Sequence, residues 1–306
     1  MSTKKQRISI LDLQEMADSN QPIAMLTCYD YPSAQLAEES DIPIILVGDT
    51  LGMVVLGYDS TVPVTLDDMI HHGRAVRRGA QKAHVVVDLP FGSYQSNPDK
   101  AMESAVRIMK ETECDSVKLE GAGEQELATI QRLGSSGIPV MGHIGLTPQS
   151  VNALGGFRLQ GRTPRDAIRL LTEAQKIQEA GAYSVVLECI PTALGAKITE
   201  VLDIPTIGIG AGPFTNGQVQ VWHDIFSLYR DMKPRHARVF SPVGQQISTG
   251  IKQYVAAVKD GTFPNSQESF MLSKEVAEWV KRNLPGSEHS MKQAEQVLLE
   301  TVRDDN

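Results

Sequence analysis

Four acidic residues stand at the downstream ends of short apolar runs. Ile44 to Gly48 leads into Asp49, Val85 to Val87 into Asp88, Ser116 to Leu119 into Glu120, and Val185 to Leu187 into Glu188. An acid closing a β-branched run marks the point where a buried parallel strand leaves its sheet or barrel. Four of them, separated by helical stretches, predict a cluster of negative charge at one mouth of an α/β fold. Close like charges repel, so such a cluster calls for a cation or a shared proton. His143 closes a fifth run, Ile138 to Gly142, and joins the same set. Lys118 and Glu120 are two residues apart and share one face of their strand. Cys189 follows Glu188 directly and is predicted to point away from it, as a small core residue.

The donor types narrow the chemistry. Asp49, Asp88 and Glu120 come from successive strands and offer hard oxygens without a thiol, which favours Mg²⁺ over structural zinc. A 2-oxo acid chelates such an ion through its carboxylate and keto oxygens. The ion then favours the enolate left when the neighbouring carbon loses a proton. Glu188 is the expected base, and Lys118 the positive charge for a substrate carboxylate or oxyanion. Each residue has a plainer reading. Asp49 or Asp88 equally N-caps the next element, Lys118 neutralises Glu120, and His143 is either a hydrogen-bonded pocket wall or a titrating group. The adjacent pair His71 and His72 cannot face one site from a helix; both are read as helix-surface or interface residues. The run Gly208 to Gly212 either binds phosphate or allows a close backbone approach.

The elements that must position these residues alternate. A lead-in helix over 10–17 precedes strands at 23–27, 42–48, 84–88, 116–120, 138–142, 184–188 and 204–210, with helices between them. Thr65 N-caps one helix and Pro98 opens another. A short eighth strand is expected at Ala237 to Phe240, with a helix from Gly244 to Lys259. This order predicts parallel strands with right-handed crossovers, closed as a (β/α)₈ TIM barrel with an N-terminal lead-in helix and a C-terminal helical extension. The catalytic barrel is assigned to residues 1–264. Residues 265–306 form a helical extension and not a separate domain, with apolar spacing at Val276, Trp279 and Val280 and again at Met291, Ala294, Val297 and Leu298.

Composition agrees with a soluble enzyme. The 306 residues are 41% hydrophobic and 22% charged, enough for a sizeable core. A formal charge of -8 argues against nucleic-acid or acidic-membrane partners. Three scattered cysteines make neither a disulfide framework nor a zinc pattern and suit a reducing cytoplasm. No segment has a signal core or a membrane span.

Ordered segments carry a resemblance: TCYDY at 27–31, LVGDTLGM at 46–53, GYDSTVPVT at 57–65, VRRGA at 76–80, DLPF at 88–91 and VKLEG at 117–121, then GHIGLTPQSVN at 142–152, GGF at 155–157, QGR at 160–162, LECIP at 187–191 and IGIGAG at 207–212. Together they resemble the ketopantoate hydroxymethyltransferase family of the phosphoenolpyruvate/pyruvate barrel superfamily. The resemblance implies transfer of a hydroxymethyl group from methylene-tetrahydrofolate to 3-methyl-2-oxobutanoate, giving 2-dehydropantoate in pantothenate biosynthesis through a Mg-stabilised enolate. It implies Mg²⁺ at Asp49, Asp88 and Glu120, oxo-acid binding by Asp49, Thr50, Asp88 and Lys118, and Glu188 as proton acceptor. His143 is added to the substrate-binding set from its strand position. Thr50 stands where many members carry Ser, with the hydroxyl kept. The family also implies a cytoplasmic homo-oligomer, often a decamer. The resemblance stops near Pro264. Two other readings stand beside it: another 2-oxo-acid lyase or mutase of the superfamily, needing no folate, and a non-catalytic oligomeric scaffold.

Overall fold

The computed structural model describes residues 7–286. They divide into two compact units between Ser241 and Pro242. The first holds a closed parallel barrel whose strands neighbour one another in chain order. They are β1 Ile23–Thr27, β2 Ile44–Val47, β3 His84–Asp88, β4 Ser116–Lys118, β5 Val140–Gly145, β6 Ser184–Glu188, β7 Thr206–Ile209 and β8 Gly217–Gln220. Seven were expected, within a few residues. The eighth differs: Ala237 to Phe240 forms no strand, and Gly217–Gln220 closes the barrel between β7 and β1. That strand reads Gly-Gln-Val-Gln and has no apolar run to betray it. Gly217 is required there, because a Cβ would strike the backbone and side chain of Ile23 on β1.

Local signals set the helix starts. Thr65 accepts from the Asp68 amide while Asp68 answers to the Thr65 amide, a reciprocal cap on helix Leu66–Gly79. Ser9 and Asp12 cap the lead-in helix Ile10–Asp18 in the same way. Asn97 precedes Pro98 at the start of Pro98–Thr112, and Thr163 precedes Pro164 at Pro164–Glu179.

Strand alternation splits the core in two. Ile45, Val47, Val85, Val87, Val117 and Val185 face outward and pack with the helices. Ile44, Leu46, Val86, Met141, Val186 and Ile207 fill the barrel interior, with Leu13 of the lead-in helix packed into the same cluster. The inward rows matter for function. His84, Val86 and Asp88 lie at i, i+2 and i+4 on β3, and the same period carries Ser116 to Lys118, Met141 to His143 and Val186 to Glu188. Each row therefore ends in a polar group at the C-terminal mouth, where barrels of this kind place their chemistry.

In the second unit the described elements are helices Val243–Asp260 and Lys274–Asn283. Ile247, Ile251, Tyr254, Val255 and Val258 line one exposed stripe of the first. Val276 and Trp279 are exposed on the second. Met291, Ala294, Val297 and Leu298 lie outside the described residues.

Candidate active site

Asp88 and Lys118 are register partners on β3 and β4, so their side chains leave the barrel side by side. Lys118 Nζ lies 2.7 Å from Asp88 Oδ1, and both side chains are almost wholly buried. Asp88 Oδ2 accepts the backbone amide of Asp49 at 3.0 Å. Burial, then the charges of Asp88 and Glu120, holds the Asp49 carboxyl well above the usual carboxylate range, with Lys118 and Gln149 pulling the other way. Burial likewise raises Asp88, against the pull of Lys118. Burial alone would strip the Lys118 proton, but Asp88, Glu120 and Asp49 outweigh it and raise the ammonium further. The expected repulsion between the acids is therefore present, and Lys118 is one cation that answers it.

His143 is the second. Its Nδ1 lies 3.5 Å from Glu120 Oε1 and its Nε2 lies 3.2 Å from Glu188 Oε2. Burial and the Lys118 charge oppose a charged ring, yet Glu120 and Glu188 prevail and raise His143 to about 9. The two acids thus favour the charged form of the ring, which lies between them at ion-pair distance.

Gln149 carries no assigned role in the sequence reading, yet it ties the acids together. Its Nε2 donates to Asp49 Oδ2 at 2.8 Å and to the Leu89 carbonyl at 3.0 Å, and its backbone amide donates to Glu120 Oε2 at 3.0 Å. Its Oε1 accepts from the Tyr94 hydroxyl and from Gln95 Nε2. Tyr94 in turn accepts the Glu120 amide at 3.0 Å, beyond the last residue of β4. The available signal was Pro148, whose ring starts a turn of 3₁₀ helix and pins Gln149 over the strand ends.

A cavity of about 770 Å³ opens beside this buried cluster. Thr50 and Glu188 line it, as do Leu146, Pro148, Phe157 and Leu159 from the stretch between β5 and helix Pro164–Glu179. Asp49, Asp88, Lys118, Glu120 and His143 are at most 5% exposed and form the wall behind Glu188, whose side chain is 15% exposed. Glu188 thus sits on the boundary, touching His143 on one side and the cavity on the other.

One expectation changes here. Cys189 does not turn into the core; it lines the cavity next to Glu188, with Sγ 3.6 Å from His236 Nδ1. The reason is a left-handed backbone at Cys189, φ +48°, which breaks strand alternation just past β6. Burial, with the Glu188 charge behind it, lifts the thiol to about 12, so it stays protonated. The glycine run after β7 packs closely against the chain, and Gly210 and Gly212 also line the cavity. A Cβ on Gly210 would press on His236, and one on Gly212 would overlap Thr192. His72 Nδ1 is 2.6 Å from the Tyr29 carbonyl oxygen, away from the acids.

The donor set tests the fit of a divalent ion. Among the described residues, no three His, Cys, Asp or Glu side chains close on one ion position. Lys118 and Gln149 account for this, because they engage Asp88 Oδ1 and Asp49 Oδ2. The chemistry fits nonetheless: three neighbouring carboxylates, no thiol, and an Asp49 carboxyl held up by burial first and by the charges of Asp88 and Glu120 after it.

The model of the family described as ketopantoate hydroxymethyltransferase matches residues 7–266. The chain belongs to this family. It is 56% identical to a 3-methyl-2-oxobutanoate hydroxymethyltransferase of Chloroflexus aurantiacus, across 86% of this chain and 92% of that protein. It is 50% identical to the enzyme of that name from Carboxydothermus hydrogenoformans, across 89% and 98%. Among solved structures, a phosphonopyruvate hydrolase bound to oxalate and Mg²⁺ matches with a TM-score of 0.58 at 11% identity, covering 96% of this chain and 98% of that one. A 2,3-dimethylmalate lyase of the PEP mutase/isocitrate lyase superfamily matches at 0.55 and 14%, covering 94% and 98%. At such identities these two speak for the barrel fold alone. Family membership makes the chain an enzyme, and the scaffold reading falls with it.

Proposed function

We propose that the protein transfers a hydroxymethyl group from methylene-tetrahydrofolate to 3-methyl-2-oxobutanoate, giving 2-dehydropantoate. The position of Glu188, between the buried charges and the open cavity, carries this reading. The oxo acid sits against Thr50 and Lys118, which offer a hydroxyl and an ammonium to its oxygens. Asp49, Asp88 and Glu120 would hold Mg²⁺, which when bound supplies positive charge to the keto oxygen and favours enolisation. Glu188 takes the proton from the branched carbon, and His143 holds the Glu188 carboxylate in place from behind. The nucleophilic carbon then faces the cavity. It forms a C–C bond with the folate's methylene carbon, whose two C–N bonds break; water supplies the hydroxyl, and the two folate nitrogens take the remaining proton of that water and the proton held by Glu188. The segment containing Leu146, Pro148, Phe157 and Leu159 covers this space and limits water. The same reading has the chain working as a homo-oligomer, supported by the exposed stripe from Ile247 to Val258.

The test is deuterium exchange at the branched carbon of 3-methyl-2-oxobutanoate, followed by NMR with Mg²⁺ and no folate. Exchange is expected, and methylene-tetrahydrofolate should convert the labelled acid to a six-carbon product. Exchange without conversion would point to a folate-independent enzyme of the superfamily.

A further inference from the structure

The cavity is far larger than a five-carbon oxo acid requires, and its volume lies in the range that holds a drug-sized ligand, roughly 300–1,000 Å³. Its lining carries charges of both signs. Asp224, in the short helix Trp222–Ile225 that follows β8, lines it and is half-buried. Among the described residues nothing donates a hydrogen bond to its carboxylate and no cation pairs with it. Burial alone lifts it to about 6. The exposed side chains of Arg158, Lys233 and Arg235 make a basic rim on the same cavity. Ile209, Phe157, Leu159 and Met232 are among the apolar residues that line it.

A lone, partly desolvated carboxylate is costly until two N–H donors reach it. A basic rim on an apolar cavity selects a flat ligand with an anionic tail. One substrate in the reading above has all three parts. Its pterin edge carries adjacent N–H donors, its aromatic body is apolar, and its glutamate is anionic. Resting on that proposed function, we infer that Asp224 anchors the 2-amino, N3–H edge of the reduced pterin, and that Lys233 and Arg235 receive the glutamyl carboxylates. The assignment is consistent with the direction of attack. Glu188 and Asp224 line the same cavity, whereas the three acids lie behind Glu188. The carrier therefore meets the nucleophilic carbon on the Glu188 side.

Ligand fragments separate the two subsites. Tetrahydrofolate, 6-methyltetrahydropterin and p-aminobenzoylglutamate are titrated into the full-length protein by calorimetry. Asp224→Asn should weaken the folate and the pterin by roughly 10- to 100-fold, the scale of hydrogen bonds to a charged group, and leave p-aminobenzoylglutamate as before. The double variant Lys233→Gln/Arg235→Gln, at exposed positions that threaten folding least, should weaken the folate and p-aminobenzoylglutamate and spare the pterin. Equal binding of the pterin by wild type and a folded Asp224→Asn would overturn the anchor. Unchanged binding of p-aminobenzoylglutamate by the double variant would overturn the rim. A wild type that binds no folate at all would instead sink the proposed function beneath both.

Discussion

Glu188 Oε2 lies 3.2 Å from His143 Nε2, and the imidazole's far side faces Glu120 at 3.5 Å. The proposed base is thus backed by His143, which a second acid flanks in turn. Glu188→Gln keeps this shape and removes the proton acceptor. Oxo-acid binding should survive while deuterium exchange at the branched carbon falls by at least about 100-fold, the lower scale of general-base catalysis. Exchange at the wild-type rate would take Glu188 out of the reaction. His143→Gln should produce a smaller loss, because the carboxylate remains but is no longer fixed.

Gly145 enforces the same geometry from the backbone. It pairs with Glu188 across β5 and β6, at φ +98°, and a Cβ there would overlap the Glu188 carbonyl oxygen. Gly145→Ala must open the two strands that carry His143 and Glu188. We expect a loss of stability above about 2 kcal/mol, since backbone strain and a steric clash combine. Chemical denaturation measures it, and a variant of unchanged midpoint would contradict the argument.

Much of this was legible in the sequence because a barrel writes its mouth into strand periodicity. Asp88, Lys118, His143 and Glu188 each continue an inward row of their strand; apolar runs with a polar last residue pointed directly to Asp88, His143 and Glu188, and Lys118 followed from sharing a face with Glu120. Gly217–Gln220 was missed because a strand held by β1 and β7 on its two sides needs no apolar run of its own. Gln149 was missed because its importance lies in five separate partners brought together by the fold, none of them near it in the chain. Cys189 was misplaced because alternation was extended one residue past the strand, into a left-handed turn.

At the opposite layer of the barrel, His84 makes stability depend on pH. Its Nδ1 meets the Ile8 carbonyl at 3.0 Å, so this nitrogen carries the hydrogen, and Nε2 lies 2.9 Å from Ser116 Oγ. Burial lowers the ring below its ordinary value of 6.5, against a weaker upward pull from Asp115. The folded chain resists a proton that the unfolded chain accepts. The contribution is therefore full above about 6.5 and is lost as pH falls from there through the lower folded value. His84→Gln should flatten this part of the profile. The wild-type slope in excess of the variant's should be positive between pH 5 and 6.5, and at most about 1.4 kcal/mol per pH unit. Parallel profiles from thermal melts would show that His84 does not report on pH.

In the proposed reading Mg²⁺ would answer the same charges as Lys118, so removing one should increase dependence on the other. Lys118 Nζ sits 2.7 Å from Asp88 Oδ1 in a region closed to water. Lys118→Met leaves Asp88 without its cation and removes the positive charge that offsets Asp49, with His143 remaining beside Glu120. Breaking a buried pair in this way costs about 3–5 kcal/mol. In wild type, Lys118 holds Asp88 Oδ1 and competes with an entering ion. In the variant that oxygen is released, and the acids repel one another more strongly. Added Mg²⁺ should therefore restore a larger part of the stability of Lys118→Met than it adds to wild type, and chelation should reverse the gain. Asp88→Asn should show neither the dependence nor the rescue, because it lacks the carboxylate that both cations share. Denaturation midpoints for the three proteins, with Mg²⁺ and with a chelator, decide the matter: if Mg²⁺ stabilises all three equally, the ion binds somewhere other than these acids.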